Sequence, residues 1–171
     1  MLFLGDSGNG KSTSLALLQA HGFDCIADDF VPVAAQSQEI YSFPAAISVK
    51  KTSLDTLLPF YPELSDSKEY DFKVAQKIVR YLKPNNSDFS SHLQCKGLVF
   101  IKYIKDAPLS CEKIDKITAF QKLVPDSWLS PIKENAAIFL DWFAALDCFE
   151  LTYSNNTEMV AQVSKLFRDE L

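Results

Sequence analysis

The chain lacks most of what would mark a membrane, nucleic-acid or metal protein. No apolar stretch approaches the length of a bilayer span. The first residues have no basic region, and Asp6 breaks their apolar run, which argues against a secretory leader. No basic surplus exists: 17 Lys and Arg stand against 22 Asp and Glu, a net charge of −5, so no excess is available to neutralise a nucleic-acid backbone. The four cysteines, Cys25, Cys95, Cys111 and Cys148, are widely spaced without a C-x-x-C pair. Only His21 and His92 are available to assist them, which speaks against a zinc site. A disulfide framework is equally out of place, so free thiols in a reducing cytoplasm are expected.

What is present is ordinary for a globular chain. The 171 residues are 47% hydrophobic and 23% charged, enough for one domain with a substantial core. The informative segment comes first. Gly5-Asp6-Ser7-Gly8-Asn9-Gly10-Lys11-Ser12 fits the phosphate-loop pattern G-x-x-x-x-G-K-[ST] at every fixed position. Leu2-Phe3-Leu4 precedes it as a strand, and Ser14–Ala20 follows as a helix. In that context the loop's backbone N–H groups wrap a phosphate and the helix N-terminus adds partial positive charge. Lys11 reaches the outer phosphates and Ser12 offers a hydroxyl to Mg²⁺. The expected nucleotide-binding set is Gly5, Ser7, Gly8, Asn9, Gly10, Lys11, Ser12 and Thr13.

Residues 1–4 are expected as a strand and 11–20 as a helix closed by His21-Gly22. Phe23–Ala27 reads as a short strand ending at Asp28-Asp29, with Val31-Pro32-Val33 extending it or starting another. Glu39–Phe43 and Ala45–Lys50 read as strands around a turn at Pro44. Residues 51–73 look irregular, with one helical turn at Ser53–Leu58. Val74–Leu82 is a candidate strand, Pro84–Ser91 a polar loop, and Gly97–Ile104 a dense β-forming run. Helical spacing covers Cys111–Leu123, with Ser110 as its cap. Ser130-Pro131 opens the next helix, with Pro131 at its first position and Ile132, Ala136, Phe139, Phe143 and Leu146 down one side. Cys148–Tyr153 is a late strand. Thr157–Leu171 is a terminal helix with Met159, Val163, Leu166 and Phe167 inward. Trp128 and Trp142, with Phe139 and Phe143, fit a helical core or the face of a homo-oligomer. A single α/β domain over residues 1–171 accounts for this order. A phosphate-loop strand normally sits inside its sheet, so further strands upstream of Met1 are expected.

Asp28-Asp29 supplies the second motif. Carboxylates at the C-terminal end of a strand lie where ligands bind in α/β sheets. One can hold Mg²⁺ and another can take a proton from an attacking hydroxyl.

Together, Gly5–Ser12, the helix behind it and His21-Gly22-Phe23-Asp24-Cys25-Ile26-Ala27-Asp28-Asp29 resemble the kinase domain of HPr kinase/phosphorylase. Tyr41–Lys50, with Phe43-Pro44, Ile47-Ser48 and Lys50, and the later Phe149–Ser154 are similar to the HPr-kinase-like group more broadly. The resemblance implies an α/β domain of HPr-kinase/PEP-carboxykinase-like type, with a mixed central sheet and flanking helices. It implies ATP and Mg²⁺ as cofactors, and a kinase that passes the γ-phosphoryl group to a hydroxyl of a protein, peptide or small molecule. Lys11 and Asp28 would be the catalytic residues, Asp28 as base, with Ser12 and Asp29 on the metal. The Glu and Arg that the regulatory enzyme carries after its aspartates have no counterpart in Ile40–Ile47. The alternative is therefore a nucleotide-binding sensor or assembly module that has lost catalysis. No N-K-x-D guanine motif and no L-S-G-G-Q segment occurs, which argues against a GTPase and an ABC-type ATPase. Arg80, Lys102 and Lys105 are candidate cations for the transferring group, and Ser48 and Lys50 candidates for a substrate pocket.

Overall fold

A computed structural model describes residues 1–73, 77–86, 88, 90–129 and 131–169. The fold is mixed α/β, and the chain divides into two compact units. The first comprises residues 1–11, 32–41 and 92–171, the second residues 12–31 and 42–91.

In the first unit, β1 (Leu2–Leu4), β7 (Gly97–Tyr103), β9 (Asp147–Tyr153) and β8 (Ser110–Lys113) form a sheet in the order β1-β7-β9-β8. β1, β7 and β9 run parallel, and β8 is antiparallel to β9. β1 thus lies at one end of this sheet. β7 reads as a continuous apolar run because Gly97–Ile101 are all buried, as a strand covered on both faces requires. Leu98, Val99 and Leu151 are fully enclosed, and Ile101, Cys148 and Tyr153 are nearly so. β2 (Glu39–Tyr41) pairs antiparallel with β6 (His92–Gln94).

α3 (Lys116–Leu123), α4 (Lys133–Ala145) and α5 (Asn156–Asp169) complete the unit. Met159, Val163 and Leu166 of α5 are buried as expected, whereas Phe167 is exposed, which corrects its inward placement. Phe120 of α3 meets Phe143 of α4 at 5.4 Å between ring centroids. An apolar cavity of about 210 Å³ lies between these helices, lined mainly by Phe120, Val124, Leu129, Phe139 and Leu140. Trp142 is buried, but Trp128 is 91% exposed and belongs to no helical core.

In the second unit, α1 (Lys11–Ala20) contributes its residues from Ser12 onward and buries Ser14, Ala16, Leu17 and Leu18. A three-stranded antiparallel sheet has the order β3 (Ile47–Lys50), β5 (Lys77–Leu82), β4 (Tyr70–Phe72). The helical turn expected near Ser53–Leu58 is α2 (Leu54–Leu57). His21 closes α1, with Nδ1 2.7 Å from the Leu17 carbonyl oxygen. Among the described residues no helix is long and apolar enough to cross a membrane.

Four further expectations are corrected. Phe23–Ala27 is not a strand; among the described residues its strand-type pairing is one parallel bridge, Ala27 to Phe43. The helix placed over Cys111–Leu123 begins at Lys116, because Asp115 and not Ser110 caps it, accepting hydrogen bonds from the Ile117 and Thr118 amides. Cys111–Lys113 instead pair along β9. Pro131 precedes α4, which starts at Lys133. Finally, β4 occupies part of the stretch read as irregular. Val74–Gln76 of the expected strand, Ser87 and Phe89 of the polar loop, Ser130 of the expected helix start and the last two residues lie outside the described residues.

Candidate functional site

The phosphate-loop motif folds as a turn seated on the C-terminal ends of the parallel strands. β1 stops at Leu4, opposite Phe100, while β7 runs on to Tyr103, opposite Tyr153 of β9. The loop crosses that step. Gly5 has φ +146°, and a Cβ there would lie 2.7 Å from the Ile101 carbonyl oxygen, so no side chain fits. Gly10 has φ +90°, and its Cβ would meet the Tyr153 hydroxyl oxygen at 2.5 Å. Between them the Asn9 amide donates to the Asp6 carbonyl oxygen at 3.2 Å, and the Tyr103 amide donates to the Asn9 carbonyl oxygen at 3.1 Å. The Lys11 ammonium folds back across the turn and donates to the carbonyl oxygens of Gly5 and, at 3.1 Å, Asp6. Gly5, Ser7, Gly8, Asn9, Gly10 and Lys11 are thus gathered in one turn with the lysine laid over it.

The second cluster is built in the other unit around Asp28. Ser12 donates its hydroxyl to Asp28, 3.1 Å from Oδ1 and 3.4 Å from Oδ2. The Ser48 amide of β3 donates to Asp28 Oδ2 at 3.3 Å. Thr13 donates its hydroxyl to Ser53 Oγ at 2.8 Å, so its side chain faces the β3–α2 connection. Asp28 is half-buried, and Asp29 beside it is exposed. The structure thus joins Ser12 to Asp28, whereas the resemblance pairs Ser12 with Asp29.

Side chains rather than a sheet hold Asp28 in place. Asn85 accepts from the Cys25 amide at 3.1 Å and donates to the Phe23 carbonyl oxygen at 2.7 Å. Ser42, itself buried, donates its hydroxyl to the Ile26 carbonyl oxygen at 3.3 Å, and the Phe43 amide donates to the same oxygen at 2.7 Å. These bonds consume the polar backbone groups that a strand would have offered to a neighbour. Burial first, and the Asp24 and Asp28 carboxylates second, push the Cys25 thiol up to about 12. It is therefore a neutral packing group rather than a nucleophile.

The remaining candidates separate cleanly. Arg80 donates to the Ser67 carbonyl oxygen and pairs with Glu69 at 3.0 Å, so its charge is committed to the segment that leads into β4. Lys102 and Lys105 are exposed. His92 pairs with Glu39 at 3.9 Å and stacks on Tyr41, away from any catalytic partner. Tyr103 and Tyr153 were not singled out by sequence, although the run Gly97–Ile104 contains the first and the run Cys148–Tyr153 ends on the second.

The donor set fits Mg²⁺ delivered with a nucleotide. Among the described residues no three His, Cys, Asp or Glu side chains gather to hold a metal ion by themselves. Mg²⁺ does not require such a cage: it takes one or two protein oxygens and completes its shell with phosphate and water. A serine hydroxyl and a carboxylate in mutual contact are such a pair. No protein-family model matches this chain, nor does any curated protein or solved structure.

Proposed function

We propose that the chain binds Mg-ATP and transfers its γ-phosphoryl group to a hydroxyl, as the HPr-kinase-like resemblance implies. The observation that carries this reading is the hydrogen bond from Ser12, the motif serine, to Asp28. A phosphate loop whose serine is tied to a carboxylate has the two protein oxygens that hold Mg²⁺ in phosphoryl-transfer proteins.

When bound, Mg²⁺ neutralises charge on the phosphates. The rest falls to the chain. The loop amides from Ser7 to Lys11 and the N-terminal end of α1 orient the phosphates. Lys11 exchanges its carbonyl partners for phosphate oxygens and offsets the charge that develops on transfer. Ser12 and Asp28 serve the metal.

Asp29 accepts the proton of the attacking hydroxyl. This exchanges the roles that the resemblance implies for the two aspartates. Asp28 is already engaged by Ser12 and the Ser48 amide, whereas Asp29 is exposed to an incoming acceptor.

The two roles separate experimentally. Asp28→Asn should raise the Mg²⁺ concentration needed for ATP binding by about tenfold. Asp29→Asn should leave Mg-ATP affinity intact and slow transfer of labelled γ-phosphate into a cell lysate by roughly 10²–10⁴-fold, the usual worth of a general base. Normal transfer by Asp29→Asn with loss of transfer in Asp28→Asn would restore the opposite assignment. No transfer by the unaltered chain, with Mg-ATP bound, would leave a binding module and end the kinase reading.

A further inference from the structure

We infer that Tyr103 is the stacking surface for the base of the nucleotide whose phosphates the loop holds. The inference rests on the phosphate-loop reading and adds to it a residue that selects a nucleoside triphosphate over a bare polyphosphate.

Position comes first. Tyr103 is the last residue of β7, at the sheet edge where parallel α/β sheets take their ligands. Its amide is bonded to the Asn9 carbonyl oxygen, and its Cβ lies 3.4 Å from where a Gly10 Cβ would stand. The residue is therefore anchored to the loop itself, beside Asn9 and Gly10.

Exposure is the second point. Every residue of β7 from Gly97 to Ile101 is buried, yet Tyr103 is 44% exposed. Lys102 and Tyr103 end the strand exposed, and the aromatic ring stands half in solvent beside Gly10.

Orientation is the third. Tyr103 packs edge-on against Tyr153, with ring centroids 5.5 Å apart and planes at 72°. Tyr153 is only 1% exposed and approaches Gly10 with its hydroxyl. One tyrosine is thus locked in the core under the loop and holds the second at a set angle. A ring already fixed loses little side-chain freedom when a base lies on it. Stacking uses the π-face that every base has, so the site would favour a base without choosing strongly among bases.

The test measures the Kd of Mg-ATP and of Mg-tripolyphosphate by calorimetry for the full chain and for Tyr103→Phe and Tyr103→Ala. The unaltered chain should bind ATP roughly 10- to 100-fold more tightly than tripolyphosphate, the usual worth of one base on an aromatic ring. Tyr103→Phe should keep that ratio. Tyr103→Ala should bring ATP down to the tripolyphosphate value while leaving tripolyphosphate unchanged. A Tyr103→Ala chain that keeps the ratio overturns the inference. So does one that loses both ligands equally, since the ring would then only shape the loop. Equal affinities in the unaltered chain overturn the stacking role and leave the phosphate loop standing. Binding of neither ligand overturns the loop reading, and this inference with it.

Discussion

The Gly5–Lys11 loop and the Phe23–Asp29 segment carry the two halves of the proposed chemistry and are held by opposite means. The loop is fixed by backbone: strand register, an amide from Tyr103, and two glycines in seats that exclude a Cβ. The aspartate segment has almost no backbone pairing and hangs from the side chains of Asn85, Ser42 and Ser12. At Gly5 and Gly10 the backbone support leaves no room for an added atom, whereas side-chain support fails by single truncations. The difference teaches where each half is vulnerable.

The largest effect should come from adding one carbon to the loop. Gly10→Ala puts a methyl 2.5 Å from the Tyr153 hydroxyl oxygen at φ +90°, so the turn must move. A strained left-handed residue alone costs about 1–3 kcal/mol, and a displaced turn loses its aim at phosphate. Mg-ATP affinity by calorimetry should fall roughly 100-fold, and adding Tyr153→Phe should recover part of it. Unchanged affinity in Gly10→Ala would break the claim that the loop is held by steric exclusion.

A smaller effect is expected from Asn85→Ala. It strips a partner from the buried Cys25 amide and from the Phe23 carbonyl. Leaving the enclosed amide unsatisfied costs about 1–3 kcal/mol, whereas water can replace the partner of the exposed Phe23 carbonyl, so the midpoint of urea unfolding should drop. An unshifted midpoint would show that the aspartate segment does not depend on this clasp.

The smallest effect is one of pH. Cys25 titrates at 9.0 in the open chain and is raised to about 12 when folded. The folded chain then keeps a proton that the unfolded chain has released, so this contribution is complete below pH 9 and is lost as pH rises toward 12. In Cys25→Ala the fall of unfolding free energy across that window should be shallower by about one proton. Cys95 and Cys148, also raised mainly by burial, keep part of that fall in place. Identical slopes would mean that the thiol is not enclosed as described.

The same contrast explains what could be read from sequence. The loop was legible because its spacing is dictated by backbone geometry that only glycine and a following helix satisfy. β7 was legible because a buried parallel strand leaves an unbroken apolar run, Leu98–Ile101, and β9 because Cys148-Phe149, Leu151 and Tyr153 mark its buried positions. Phe23–Ala27 has the same look, but its pairing was pre-empted by Asn85, Ser42 and Phe43, which stand far away in the chain and announce nothing locally. β8 was hidden inside a helical spacing, since Ser110 and Asp115 are both good caps and only the structure shows which one accepts the first amides. The Ser12–Asp28 bond was half legible: the pair of aspartates was visible, but which of them turns toward the serine depends on β3, whose Ser48 amide claims Asp28. Tyr103 escaped notice because its role follows from strand register with Tyr153.

The central claim is that the Gly5–Ser12 turn binds the phosphates of Mg-ATP. Calorimetric titration of Mg-ATP into the full chain and into Lys11→Ala tests it most directly. The account predicts one site per chain with saturable binding, and an affinity at least about 100-fold weaker in Lys11→Ala, some 2.7 kcal/mol. Equal affinity in the two proteins would contradict it.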